Sequence, residues 1–187
     1  MSTAERLLNA DEFYDLPEPP EGGKMELIEG RSVTMSPVGM EHGEIVHNIS
    51  LGMGPFVRKA TLGKVRIETG FRLRRDPDSV RAPDLSFVVA GRVPAGRRSR
   101  YFDGYPDLAV EVLSPDDRAS EIAQKLSEYL AAGTARIWII DPASRTVTVH
   151  RAGGDAHTYS DDDVLSSDDA GFNVPGFALP LADIFED

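Results

Sequence analysis

The sequence contains no cysteine, and this absence excludes several kinds of chemistry at once. Disulfides, thiolate metal sites, cysteine nucleophiles and thiol redox switches all need a side chain that the chain does not have. A chain of 187 residues with 41% hydrophobic content can build a core without such cross-links. The sequence therefore predicts a globular protein suited to a reducing compartment, and we expect a cytoplasmic location.

Long apolar runs are also missing. The N-terminal segment MSTAERLLNADEF mixes charged residues with its leucines, so it lacks the apolar centre of a signal peptide. No run elsewhere approaches the roughly 20 apolar residues that a membrane-spanning helix needs. Histidine is scarce, and the four histidines do not have the spacing of a zinc-binding helix. We expect neither a membrane segment nor a zinc site.

Positive charge is limited and unevenly distributed. The net charge of −11 argues against a polyanionic partner, because nucleic-acid-binding proteins usually have a basic surface. Residues 155–187 carry nine acidic residues and no lysine or arginine, and they account for most of the excess. Residues 72–100 instead hold eight arginines against three aspartates, a net charge of +5. This segment is interpreted either as a phosphate-binding surface or as solvated loop arginines, and the sequence leaves both open.

The pattern along the chain predicts one domain over residues 1–187, without internal repeats. Residues 1–22 read as a lead-in helix, capped by Asn9 and Glu12, followed by a turn-rich segment. Residues 155–187 form an acidic C-terminal segment whose apolar pieces FALPL and IF are expected to pack on the body.

Two hairpins and a helix are predicted in the first half of the domain. Residues 25–36 read as a hairpin, and residues 64–75 and 79–89 read as a longer antiparallel one around an Asp-Pro-Asp turn. Between them, apolar spacing from Glu41 predicts a helix that ends at Gly52 to Pro55.

His42 lies on the inward face of that helix. A single inward histidine is more often a hydrogen-bonded core residue than a ligand, although it could support a nearby site.

The segment Asp107–Pro115, DLAVEVLSP, places a carboxylate in the middle of an apolar strand. Val110, Val112 and Leu113 surround Glu111, and an ionised glutamate buried there is unfavourable by several kcal/mol unless it is compensated. The compensating group is either an arginine or lysine in a structural ion pair, or a bound cation shared with other carboxylates.

A helix and a further strand follow this segment. Ser114 is a predicted N-cap, and the helix is expected to end near Gly133, with Lys125 at the border of its apolar face. Residues 135–140 then read as a buried strand. A strand-helix-strand unit of this kind is normally a parallel crossover, so the sheet should be mixed.

Asp84 lies in the second strand of the longer hairpin, Glu111 lies in the apolar strand, and Lys125 lies on the helix that follows it. We expect these three side chains to converge. Two carboxylates and one ammonium group suit a magnesium phosphodiesterase site, because Mg²⁺ is usually held by one or two carboxylates together with substrate phosphate. Each residue also has an ordinary structural explanation: a turn former, a salt-bridged glutamate and a lysine on a wet helix face.

Six motifs occur in an order and spacing that carry a family resemblance. They are MELIEG, SPVGMEHG, RAPDLSFV, PDLAVEVLSP, KLSEYLAAG and RIWIIDP. Over roughly residues 10–185 the chain resembles the PD-(D/E)XK nuclease superfamily and, within it, the Uma2 family of putative restriction endonucleases. The resemblance implies an α/β, restriction-endonuclease-like fold with a mixed central β-sheet flanked by helices.

The resemblance also implies an activity and site residues. It implies a Mg²⁺- or Mn²⁺-dependent DNA endonuclease in which Asp84 and Glu111 hold the metal and Lys125 is catalytic. The usual lysine of the superfamily comes two residues after the glutamate, where this chain has Leu113, and Lys125 fits a lysine moved onto the following helix.

Further implications concern supporting residues and assembly. Glu26 and His42 match family positions that would support the site. Duplex cleavage would favour a homodimer with one site per strand.

Two other classes of function fit the same residues. The first is a catalytically inactive nucleic-acid- or protein-binding module on the same fold. The second is a sugar hydrolase that uses Asp84 and Glu111 as an acid/base pair, which would need no metal.

Overall fold

The computed structural model describes residues 6–20, 22–96, 100–160 and 162–186. The helices are α1 (Ala10–Tyr14), α2 (Met40–Lys59), α3 (Ala119–Ala132) and α4 (Leu181–Ile184), with a 3₁₀ turn at Ala90–Arg92. The strands are β1 (Met25–Ile28), β2 (Arg31–Thr34), β3 (Gly63–Ile67), β4 (Phe71–Arg74), β5 (Ser79–Arg81), β6 (Leu85–Val89), β7 (Phe102–Asp103), β8 (Leu108–Val112), β9 (Arg136–Asp141), β10 (Thr146–Arg151), β11 (Ala156–Ser160), β12 (Val164–Ser166) and β13 (Ala178–Pro180). In these ranges no helix combines the length and apolar character needed to cross a bilayer.

Two mixed sheets make up the centre of the protein. The larger has six strands in the order β11-β10-β9-β8-β6-β3, and the smaller has five in the order β2-β1-β5-β4-β7. In the larger sheet β8 and β9 are parallel and the other neighbours are antiparallel, which confirms the predicted mixed sheet and parallel crossover. In the smaller sheet only β4 and β7 are parallel among the described strands. Strands β12 and β13 form a separate pair.

The long hairpin predicted over residues 64–75 and 79–89 is divided between the two sheets. Its outer part, β4 with β5, belongs to the five-stranded sheet, and its inner part, β3 with β6, belongs to the six-stranded sheet. Pro83 lies at the break and has no N–H with which to continue a ladder. Asp84 follows it directly, so this carboxylate lies where the chain passes from one sheet to the other.

Helix α2 continues past the glycines and proline that were predicted to end it. A Cβ at Gly52 would lie 2.6 Å from a methyl carbon of Leu179, so this glycine permits a close approach of the C-terminal segment. Met53 and Val57 are buried on either side of Pro55, and their packing maintains the helix where proline removes one backbone hydrogen bond. The predicted helix end was therefore wrong, because tertiary packing outweighs local propensity here.

The start of α3 also differs from the prediction. Ser114 is not its N-cap, because the helix begins at Ala119 after Arg118. Ser114 and Asp117 instead close a turn in which the Ser114 N–H donates to the Asp117 carboxylate at 2.8 Å. The other end is as predicted: Gly133 adopts a left-handed φ of 112° that ends the helix.

Strand β8 is covered on both faces. Leu108, Val110 and Val112 pack in the main core, to which α2 also contributes, and Ala109 packs with Tyr129 under α3. Successive side chains of β8 therefore face opposite layers of the core, as in a regular strand. The C-terminal segment packs into the main core as expected, through Phe177, Leu179, Leu181, Ile184 and Phe185.

Candidate active site

A cavity of about 560 Å³ opens beside the point where Asp84 leaves one sheet for the other. It lies between the β1–β2 hairpin, the first turn of α2, the end of β8 and α3. Asp84, Glu111, Lys125 and His42, all predicted from the sequence, line it. Glu26 does not line it, but its partner Arg81 does.

Glu111 lies in β8 and is only 4% exposed. Its Oε2 atom is 2.7 Å from Lys125 Nζ, and its Oε1 atom accepts a hydrogen bond of 2.7 Å from the Tyr129 hydroxyl. Burial raises the pKa of Glu111, whereas the charge of Lys125 opposes that rise. The compensating cation that the apolar strand required is thus a lysine of the same chain.

Lys125 extends from α3 along the packed side of the helix to reach this carboxylate. Burial alone would lower its pKa, but the carboxylates around it, Glu111 first, raise the pKa of Lys125 above its ordinary value. The ammonium group therefore remains charged at neutral pH. The sequence prediction that Lys125 lies beside Glu111 agrees with this geometry.

Asp84 is held by three donors. Its Oδ1 atom is 3.1 Å from Lys24 Nζ, and its Oδ2 atom is 3.2 Å from His42 Nε2 and accepts from the Val112 N–H at 2.8 Å. Burial favours the neutral acid, but His42, Lys24 and the Val112 amide together hold the pKa of Asp84 below its usual range. Because Val112 follows Glu111, its amide also ties Asp84 to the strand that carries the second carboxylate.

Two contacts of the site were missed in the sequence. Lys24 precedes β1 by one residue, and strand alternation would have placed it on the same face as Glu26. Tyr129 follows Lys125 by four residues on α3, a spacing that places both side chains on one side of the helix.

Behind the cavity, Glu26 and Arg81 form a buried ion pair. Their side chains are 0% and 2% exposed, and the Arg81 guanidinium lies 2.7 Å from Glu26 Oε2. The other oxygen of Glu26 accepts from the Ala82 N–H at 2.9 Å, and Arg81 Nε lies 2.6 Å from Glu128 on α3. These contacts fix the backbone two residues before Asp84 and join it to the helix that carries Lys125.

The two carboxylates in the cavity suit a hard divalent cation. Mg²⁺ takes oxygen ligands and keeps several waters, so Asp84 and Glu111 provide the protein ligands that such an ion commonly uses. Over the described ranges, no three or more histidine, aspartate or glutamate side chains are grouped to hold a metal ion. Each carboxylate also engages an ammonium group, Lys24 or Lys125. The residues therefore fit a cation shared with substrate and water more closely than a site built from protein ligands alone.

The arginines of residues 72–100 are largely engaged within the protein. The ion pairs are Arg72 and Arg75 with Asp103, Arg74 with Glu29, Arg81 with Glu26, Arg92 with Asp107, and Arg100 with Asp15. Arg97 and Arg98 lie outside the described residues. The phosphate-binding interpretation of this segment stays a prediction.

Comparisons with known proteins bear on the family and the fold of the chain. The Uma2 family model, described as putative restriction endonuclease, matches residues 10–182. Among solved structures, the chain is similar to a putative nuclease belonging to DUF820 from Anabaena variabilis ATCC 29413, with 26% identity, a TM-score of 0.75, and coverage of 95% of this chain and 97% of that chain. No curated protein matches. The predicted family resemblance and the restriction-endonuclease-like α/β fold are both confirmed.

Proposed function

Because the chain belongs to the Uma2 family of putative restriction endonucleases, we propose that it is a Mg²⁺- or Mn²⁺-dependent endonuclease that hydrolyses phosphodiester bonds in DNA. One observation carries this proposal. Two nearly buried carboxylates, Asp84 and Glu111, lie in one cavity with two ammonium groups. Carboxylates that can bind a cation and ammonium groups that can bind a phosphate, in one cavity, suit a metal-dependent reaction at a phosphate.

The proposed roles follow from the contacts. Asp84 and Glu111 would hold the cation, which would polarise the phosphate and favour a hydroxide nucleophile at neutral pH. Lys125 carries a charged ammonium at the cavity wall, within reach of a phosphate that enters it. Its role would be to stabilise the negative charge that grows on the phosphate oxygens in the transition state.

Two further residues would position these groups. His42 contacts Asp84 through Nε2, so it restricts the orientation of that carboxylate. Glu26 fixes the Ala82 amide and the Arg81 side chain, and through them the backbone that leads to Asp84. Neither needs to touch the substrate in order to affect the rate.

A second candidate function is favoured by the same ion pairs. Lys24 and Lys125 neutralise the carboxylates without any cation. A catalytically inactive nucleic-acid- or protein-binding module could retain them as structural pairs. Such a module would bind no divalent cation, and titration calorimetry distinguishes it from the nuclease.

The test of the proposed activity is incubation of the protein with supercoiled plasmid at low salt. Nicked and linear products are expected with Mg²⁺ or Mn²⁺ and not with EDTA. No products with either cation, together with no heat of cation binding, would reject the nuclease and favour the binding module.

We further propose that the protein acts on duplex DNA as a homodimer in the cytoplasm. Each copy contains one cavity with Asp84 and Glu111, so cutting both strands in one event requires two copies. Sedimentation of the protein with and without duplex measures the number of copies directly, and a monomer in both conditions would contradict this assembly.

A further inference from the structure

Lys24 occupies a position in the cavity equivalent to that of Lys125. Its side chain is 18% exposed, close to the 17% of Lys125, and both line the cavity. Each ammonium group contacts a different carboxylate, Lys24 that of Asp84 at 3.1 Å and Lys125 that of Glu111 at 2.7 Å. The two lysines come from different elements, one just before β1 and the other from α3.

The environment keeps the Lys24 ammonium charged. Burial lowers its pKa, but the carboxylates of Asp84, Glu111 and Glu26 outweigh that effect and leave it above the ordinary value. The charge of Lys125 acts on Lys24 in the opposite sense. Both ammonium groups therefore lie within electrostatic range of each other and of both carboxylates.

The formal charges of these four side chains sum to zero. A divalent cation and a phosphodiester monoanion would bring the total to one positive charge. When a hydroxide attacks, the phosphate gains a second negative charge, and the total becomes zero in the transition state. Without Lys24 the transition state would carry a net negative charge in a buried site, which is unfavourable.

We propose that Lys24 is a second phosphate-contacting lysine of the endonuclease. It holds Asp84 while the cavity lacks substrate, and its ammonium passes to a non-bridging oxygen of the scissile phosphate when a divalent cation takes its place at Asp84. Lys24 and the cation compete for Asp84, whereas Lys24 and the phosphate attract each other. The inference rests on the proposed function and extends it to a residue outside the family motifs that the sequence suggested.

The test compares Lys24→Met with Lys24→Arg, and with Lys64→Met as a control. Lys64 is exposed on β3 and does not line the cavity. In Lys24→Met, Mn²⁺ should bind at least about tenfold more tightly by calorimetry, because a competing positive charge has been removed. Cleavage kcat should fall on the order of a hundredfold with KM much less affected, because the contact of Lys24 with the phosphate strengthens as negative charge grows there in the transition state. Lys24→Arg should recover part of kcat, and Lys64→Met should match the parent.

Lys24→Gln provides a second variant, because it keeps a hydrogen-bond donor for Asp84 without the charge. It replaces Lys24→Met if that variant does not fold, and it should show the same tighter Mn²⁺ binding and slower cleavage. A purely structural lysine would give lower thermal stability with unchanged kcat and unchanged Mn²⁺ affinity, and this result would overturn the inference. If the parent cleaves and both uncharged variants cleave equally well, only the role of Lys24 is rejected. A parent protein that binds neither Mg²⁺ nor Mn²⁺ overturns both this inference and the proposed function.

Discussion

The ammonium nitrogen of Lys125 lies 2.7 Å from the Oε2 atom of Glu111, in a pair that joins α3 to the middle of β8. Tyr129, one turn further along α3, donates to the other oxygen of the same carboxylate. Both oxygens of Glu111 are thus directed by one helix. A shift of α3 relative to the sheet would move the carboxylate and its cationic partner together.

Lys125→Met tests the role of this ammonium group. Methionine keeps the apolar stem, but the buried carboxylate loses its partner, so the protein without cation should lose roughly 3 kcal/mol of unfolding free energy. The single-turnover cleavage rate should fall on the order of a hundredfold, because a donor to the transition state is gone. Urea unfolding and cleavage kinetics measure the two effects, and Lys64→Met is the matched control. A Lys125→Met protein that cleaves at the parent rate would make this lysine a structural residue only.

Glu26→Gln tests the buried ion pair behind the cavity. Glu26 and Arg81 are almost inaccessible, and the Arg81 guanidinium also contacts Glu128. Removing the charge of Glu26 therefore takes one of two carboxylate partners from a buried guanidinium, and it should lower the unfolding free energy by about 3 kcal/mol. The control is Glu29→Gln, because Glu29 pairs with Arg74 at the surface, where the two side chains are 52% and 50% exposed. An exposed pair contributes about 0–1 kcal/mol.

Urea unfolding of the two variants separates these cases. Equal losses of unfolding free energy in Glu26→Gln and Glu29→Gln would show that burial of the pair between Glu26 and Arg81 adds nothing to stability.

Asp169→Asn tests a cluster that does not line the cavity. Asp169 accepts hydrogen bonds from Ser166 and Tyr159 and pairs with Arg151 at 2.5 Å. Burial would raise its pKa, but these partners lower the pKa of Asp169 below the unfolded value of about 3.9. The ionised carboxylate therefore stabilises the fold fully above the unfolded pKa, and the stabilisation is lost as pH falls toward the folded pKa.

The expected result is a pH-dependent difference. Asp169→Asn should be less stable than the parent by roughly 2 kcal/mol at pH 7, and the difference should shrink below about pH 4. Trp138, the single tryptophan, donates to the Asp169 backbone carbonyl, so its fluorescence reports on unfolding of this region. A difference that stays constant from pH 7 to pH 3 would contradict the assigned pKa shift.

Local patterns in the sequence were sufficient to predict part of the site. A glutamate in an apolar strand required a compensating charge, and helix geometry placed Lys125 at the border of a packed face. Both inferences use neighbours within one strand-helix unit. The ion pair between Lys24 and Asp84 could not be found from local patterns, because it joins residues 60 positions apart and depends on the pairing of β1 with β5.

The points at which the observed fold differs from the sequence prediction also arise from contacts between distant parts of the chain. Alternation continues through residues 64–75 and gives no sign that β3 and β4 belong to different sheets. Helix α2 passes through Pro55 because Met53 and Val57 pack against distant segments, including Leu179. Non-local packing of this kind is invisible to a window of sequence.

If Glu111 takes part in metal-dependent cleavage, Glu111→Gln should be nearly inactive. Glutamine keeps the size of the side chain and an acceptor for Tyr129 but removes the charge that a cation needs. The measurement is plasmid cleavage in Mg²⁺ by the parent, by Glu111→Gln, and by Glu121→Gln as an exposed control on the cavity rim. We expect the parent and Glu121→Gln to cleave at similar rates, and Glu111→Gln to be slower by more than about a hundredfold. Cleavage by Glu111→Gln at the parent rate would contradict a role for Glu111 in metal-dependent cleavage.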